Sequence, residues 1–162
     1  MTKKIILFLT TIFVAMPLGG AIISFVAPWE YDVSASTFLD WHRHIDFYMG
    51  KRGAFIGLPA LGLLLIQTII FWKERARLKS GLVFITLLLT IAGTIIAIKG
   101  NMPINQQLQS LQPGFIPPNW EQIRNEWLGY HCWRNITAII GFVSFMLTFF
   151  VQQDTKRSLL PH

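Results

Sequence analysis

Charge and cysteine are what this sequence lacks. Only 14% of its residues are charged, against about a quarter in a soluble globular domain. A chain so poor in charge cannot cover a water-facing surface in the usual way, and the deficit is that of a membrane protein. The single cysteine, Cys132, excludes an internal disulfide framework and a cysteine-based zinc site. No CxxCH occurs, which excludes covalently attached c-type haem. Neither an internal repeat nor a low-complexity tract breaks the chain, so its 162 residues read as one membrane domain, 1–162.

What is present is apolar sequence: 52% hydrophobic residues and a mean hydropathy of +0.47. A helix needs roughly 20 apolar residues to cross a hydrocarbon core of about 30 Å. Four runs meet that length, Ile5 to Val26, Ala54 to Trp72, Gly81 to Ile98 and Ile136 to Val151. The first follows Lys3 and Lys4 as a signal peptide would, but it is long for one and leads into more membrane sequence, so a retained helix is expected.

The basic residues orient these runs. Lys3, Lys4, Lys73, Arg75, Arg77, Lys79, Lys156 and Arg157 fall on one side, with only Glu74 and Asp154 against them. The other side carries six basic and six acidic residues, so the whole net charge of +6 belongs to one face. By the positive-inside rule that face is cytoplasmic, with both termini inside. The expected location is a bacterial inner (plasma) membrane. Topology accounts for the basic balance, so the expected partners are the lipid bilayer and a hydrophobic small molecule, and no nucleic acid. Tryptophans and tyrosines crowd the outer boundary, Trp72 alone marking the inner one. That asymmetry points to a structured outer cap or pocket.

The expected fold class is therefore all-α, an integral membrane four-helix bundle with a non-cytoplasmic cap. Its helices are expected at about 5–26, 38–72, 80–99 and 120–151, with outer loops at about 27–37 and 100–119. Ser36 or Thr37 is a suitable N-cap for the second helix, which would run through DWHRHIDFYMGKRG into the bilayer. Asn119 with Gln122 has capping-box spacing for the fourth. Thr86, Thr90 and Thr94 recur every fourth residue of the third, as interhelical hydrogen-bonding groups do.

The chemistry concentrates in the fourth helix. Trp120, Arg124, Trp127, His131 and Arg134 fall within an arc of roughly 80° at 3.6 residues per turn. An arginine at the mouth of the membrane is expected to face the bundle and find a counter-ion, Asp46 or a glutamate. His131 titrates near neutrality without tuning, which suits a base or proton shuttle. Asn101 and Asn105 flank a proline in NMPIN. Their amides can satisfy a turn, or stabilise an oxyanion if they point into the bundle mouth. In WHRHID and the Asp40 before it, His42 with Asp46 and Asp40 with His44 have chelating helical spacing. A metal held by His42, His44 and His131, or a haem between His44 and His131, is an alternative, although no cofactor is expected. NIT at 135–137 matches a glycosylation acceptor but enters the membrane.

An N-x-P-x-N after the third membrane helix, followed by W-x-x-x-R-x-x-W-x-x-x-H-x-x-R into the fourth, resembles the anthrone oxygenase-like family of small four-helix membrane proteins. The matching residues are Asn101, Pro103, Asn105, Trp120, Arg124, Trp127, His131 and Arg134. IDFYMGKR before helix 2 is similar to a looser family feature. The resemblance implies a cofactor-free oxygenase acting on a hydrophobic aromatic, anthrone- or quinol-like substrate at the outer mouth. On that reading His131, Arg134, Asn101 and Asn105 are catalytic, and Trp120, Arg124, Trp127, His44, Asp46 and Arg52 bind substrate. Two other classes fit the same residues: a haem- or metal-binding redox protein, and a non-catalytic membrane subunit or scaffold.

Overall fold

The computed structural model of the chain describes residues 1–49 and 52–151. Its described elements are helical. They are α1 (Thr2–Val26), a 3-10 turn (Trp29–Tyr31), α2 (Ala35–Met49), α3 (Ala54–Lys73), α4 (Arg77–Ile96), a π turn (Ala97–Asn101), α5 (Met102–Ser110) and α6 (Trp120–Phe150). Four helical stretches are long and apolar enough to cross a membrane: α1, α3, the continuous run Arg77–Ser110, and α6.

Those four form the bundle. Its core is Leu64, Val83, Leu87 and Phe145, with Leu7, Val14 and Leu61 packed around it. Between α4 and α6 the contact is made by small and hydroxylated residues. A Cβ on Gly93 would lie 2.8 Å from Thr137 Oγ1, so the backbones approach closely there. Thr86 Oγ1 donates to Gly141 O, and Ser144 Oγ to Leu82 O, both at 3.0 Å. Small residues and hydroxyl bridges are how helices associate where no hydrophobic effect drives them together. Of the expected threonine stripe only Thr86 crosses to another helix; Thr90 and Thr94 bond back to the carbonyls of Thr86 and Thr90.

A second core lies where α2, α5 and the first half of α6 meet. It contains Phe38, Leu39, Ile104, Leu108, Ile123, Trp127 and Leu128. Arg43 fastens it by donating to Leu111 O at 3.0 Å and Gln112 O at 2.8 Å, which occupies carbonyls left open beyond the end of α5. The opposite end is closed by a Schellman-type turn after α3. There Arg75 N–H donates to Trp72 O and Ala76 N–H to Phe71 O, with Arg75 at φ 60° in the place glycine usually takes.

Several boundaries differ from the expected ones. The run 38–72 is two helices, α2 and α3, with Arg52 and Gly53 in a turn. Gly50 and Gly53 stand within four residues, and each glycine costs a helix about 1 kcal/mol relative to alanine. Gly50, Lys51 and residues 152–162, including Asp154, Lys156 and Arg157, lie outside the described residues. The 100–119 loop is largely helix, because α4 continues through the π turn into α5. Pro103 has no N–H for the carbonyl four residues back, and a π turn absorbs such an interruption. The cap of α2 is Ser34, whose Oγ accepts from Thr37 N–H at 3.2 Å, two residues before Ser36, the nearer of the expected caps. Asn119 precedes α6 but makes no side-chain capping bond.

Candidate functional site

The stripe on α6 divides into two parts. Trp120 and Arg124 pair with each other, the guanidinium 4.8 Å from the indole centroid. Trp127, His131 and Arg134 face inward and build a column. Trp127 stacks on His131 and meets His42 edge-on, with ring centroids 4.6 and 4.4 Å away. Its Nε1–H donates to Asn105 Oδ1 at 2.8 Å. Asn105 Nδ2 in turn donates to Asp46 Oδ1 at 2.8 Å, and Gln109 donates to the other oxygen of Asp46. Asn101 Nδ2 donates to Trp127 O at 3.0 Å. The NMPIN amides therefore hold the indole and its backbone.

On the other side of the column the protein opens. A cleft of about 130 Å³ lies between the end of α1, the 28–31 turn and α6, lined by Ser24, Phe25, Glu30, His131, Cys132 and Asn135 among others. Its polar groups form one chain. Arg134 Nη2 donates to His131 Nδ1 at 3.3 Å. A guanidinium can only donate, so Nδ1 accepts and the ring proton sits on Nε2. That nitrogen faces Ser24 Oγ at 3.2 Å and Glu30 Oε1 at 3.8 Å. Ser24 Oγ lies 3.4 Å from Glu30 Oε1 and 3.1 Å from Gly20 O. Among the described residues no carboxylate stands within 4.0 Å of Arg134, and Asp46 is committed to Asn105 and Gln109 instead of serving as its counter-ion.

Burial sets the protonation of the groups beside the membrane-length helices. It raises the Glu30 carboxyl above its usual value, opposed by the hydrogen bond from Ser24. It pushes His42 down to about 4, opposed by the bond to Phe38 O and by Asp46. His42 Nδ1 donates to Phe38 O at 2.9 Å, and its Nε2 is buried without a partner. A proton there would be a buried charge with no acceptor, so the neutral ring belongs to the fold.

The expected residues are thus brought together in part. Trp127, His131, Arg134, Asn101, Asn105 and Asp46 form one network. His44 is exposed against Tyr48, and Arg52 is exposed over the same ring at 5.5 Å. His42 and His131 lie against the indole of Trp127 while His44 points elsewhere. Those three histidines do not converge, and His44 does not face His131. No group of three or more His, Cys, Asp or Glu placed to hold a metal is found among the described residues.

Glu30, Ser24 and Asn135 were not visible as site residues. Ser24 and His131 are 107 positions apart, and the packing of α1 on α6 alone joins them. The one local signal is Glu30 itself, an acid between Trp29 and Tyr31 at the end of an apolar run. It is 5% exposed, and a buried acid marks a candidate site. Over its described residues the protein is all-helical, with four membrane-length helices and a cleft between two of them, α1 and α6. Comparison with known proteins finds no matching family model, no matching curated protein and no matching solved structure.

Proposed function

We propose that this protein is a cofactor-free oxygenase of the bacterial inner membrane, acting on a hydrophobic aromatic, anthrone- or quinol-like substrate. Both termini are cytoplasmic, and the second core of α2, α5 and α6 forms a cap on the outer side. The observation that carries the reading is Glu30: a buried carboxyl on the wall of a one-ring cleft, whose raised pKa makes its carboxylate a stronger base than a solvated one. A cavity of about 150 Å³ admits benzene, so one ring of a larger substrate fits, with the remainder projecting along α1 and α6.

Glu30, in place of His131, is the base. His131 presents an N–H to the cleft because Arg134 holds its other nitrogen. An anthrone has an acidic benzylic C–H. Transfer of that proton to Glu30 leaves an electron-rich enolate that reacts with oxygen directly. Overall, CH2 and O2 give C=O and H2O. Ser24 and the His131 N–H supply donors beside the developing negative charge, and Arg134 acts through His131 as a positioning residue. The motif resemblance in residues 101–134 supports the substrate class.

Oxygen uptake by the purified protein with anthrone as substrate tests this. Wild type is expected to exceed Glu30→Gln by about 100-fold or more, the usual contribution of a positioned base. A wild-type rate no faster than that of Glu30→Gln would falsify the reading.

A further inference from the structure

The cleft contains a polar group that the proton-transfer chain does not use. Asn135 is 6% exposed, and its Nδ2 is buried without a hydrogen-bond partner. It lines the same cleft as Glu30, Ser24 and His131, one turn beyond His131 on α6. Thr137, two residues on, is satisfied: its Oγ1 donates to Arg134 O at 2.8 Å. Asn101, the other buried asparagine of the helical region, spends its amide nitrogen on Trp127 O. A buried amide left unpaired costs about 1–3 kcal/mol. Within a membrane-length helix the cost persists unless something supplies the partner.

We propose that Asn135 is the specificity residue of the cleft and binds an oxygen atom carried on the ring of the ligand. The apolar walls, Phe25, Pro28 and Leu128, give a flat compound its contact area. The volume of about 130 Å³ is of the size that takes a single ring. At one part of the wall Glu30 handles a proton; a turn away on α6, the Asn135 amide offers the hydrogen bond that an unsubstituted hydrocarbon ring cannot take up. Sites built to bond a substrate oxygen discriminate strongly against the analogue lacking it, because the buried protein group is then left unpaired. The cleft therefore selects phenolic, enolic or aryl-ketone rings over plain aromatic hydrocarbons. The inference rests on the proposed function only in taking this cleft as the substrate site.

Binding of p-cresol and of toluene, measured by calorimetry on protein in nanodiscs under nitrogen, tests the assignment without any turnover. Wild type is expected to bind p-cresol, and Asn135→Leu to weaken it about 10-fold while leaving toluene unchanged. The change in the p-cresol to toluene ratio cancels the different partition of the two compounds into lipid. Asn135→Ala, which adds no bulk, is expected to shift the ratio in the same direction, and covers the case in which leucine distorts the helix. No p-cresol binding by wild type, or an unchanged ratio in a folded variant, overturns the proposal. Failure of the oxygenase reading is separate: p-cresol binding would persist while oxygen uptake with anthrone stayed at the Glu30→Gln rate.

Discussion

Trp127 and His131 lie face to face on α6, their ring centroids 4.6 Å apart and their planes inclined by 14°. They are four residues apart, so helical geometry alone stacks them. The stack joins two environments. Behind Trp127 are His42, Asn105 and the second core; beyond His131 are Ser24, Glu30 and the cleft. The indole thus fixes the ring that presents its N–H to the site.

Separating the ring of Trp127 from its N–H gives the first prediction. Trp127→Phe keeps an aromatic face and leaves Asn105 Oδ1 without its donor, an expected cost of about 1 kcal/mol. Trp127→Ala removes a buried ring from a packed core, at about 3–5 kcal/mol. Denaturant unfolding in detergent micelles measures both. Equal losses in the two variants would show that the hydrogen bond, and not the packing, carries the effect.

His42 and Glu30 give stability two opposing dependences on pH. The folded pKa of His42 is about 4, below its ordinary 6.5. Between those values the unfolded chain binds more protons, so the contribution is complete above 6.5 and is lost as pH falls toward 4. Its size is on the order of 3 kcal/mol. The folded pKa of Glu30 is raised above 4.5. Its contribution is complete below 4.5 and is lost as pH rises through the folded value. His42→Leu is therefore expected to flatten the acid limb of stability against pH. Glu30→Gln should raise stability at neutral pH while removing turnover. Thermal unfolding of both variants from pH 4 to 8 decides it; a Glu30→Gln protein less stable than wild type at pH 7.5 contradicts the assignment.

The local parts of this architecture were legible in the sequence, and the parts made by packing were not. Apolar runs of membrane length identify the four helices long and apolar enough to span, because a bilayer imposes a length. The arc from Trp120 to Arg134 follows from 3.6 residues per turn, and its inner members do face the interior. The roles of Asn101 and Asn105 could not be read, since an amide beside a proline serves a turn, an indole or an oxyanion equally well. Ser24 sits in a run whose composition is ordinary for a membrane helix, and only the crossing of α1 with α6 brings it to His131. The break between α2 and α3 shows the limit of periodicity: the helical pattern passes through GKRG, while its two glycines oppose a continuous helix.

The last prediction concerns how α6 is placed against the π turn. A Cβ at Gly100 would lie 2.3 Å from Cγ of Tyr130 and within 2.8 Å of two further ring atoms. No rotamer adjustment of a methyl group relieves such a contact, so the helices or the tyrosine must move. Gly100→Ala is expected to destabilise by about 1–3 kcal/mol, the usual cost of overpacking. The shift would also move Asn101, whose amide holds Trp127 O, and with it the stack on His131. Tyr130 is 37% exposed, so removing its ring opens little new cavity. Gly100→Ala combined with Tyr130→Ala is therefore expected to recover most of the loss in a double-mutant cycle. Additive losses in that cycle would mean that the glycine is needed for the backbone of the π turn itself, and not for room beside Tyr130.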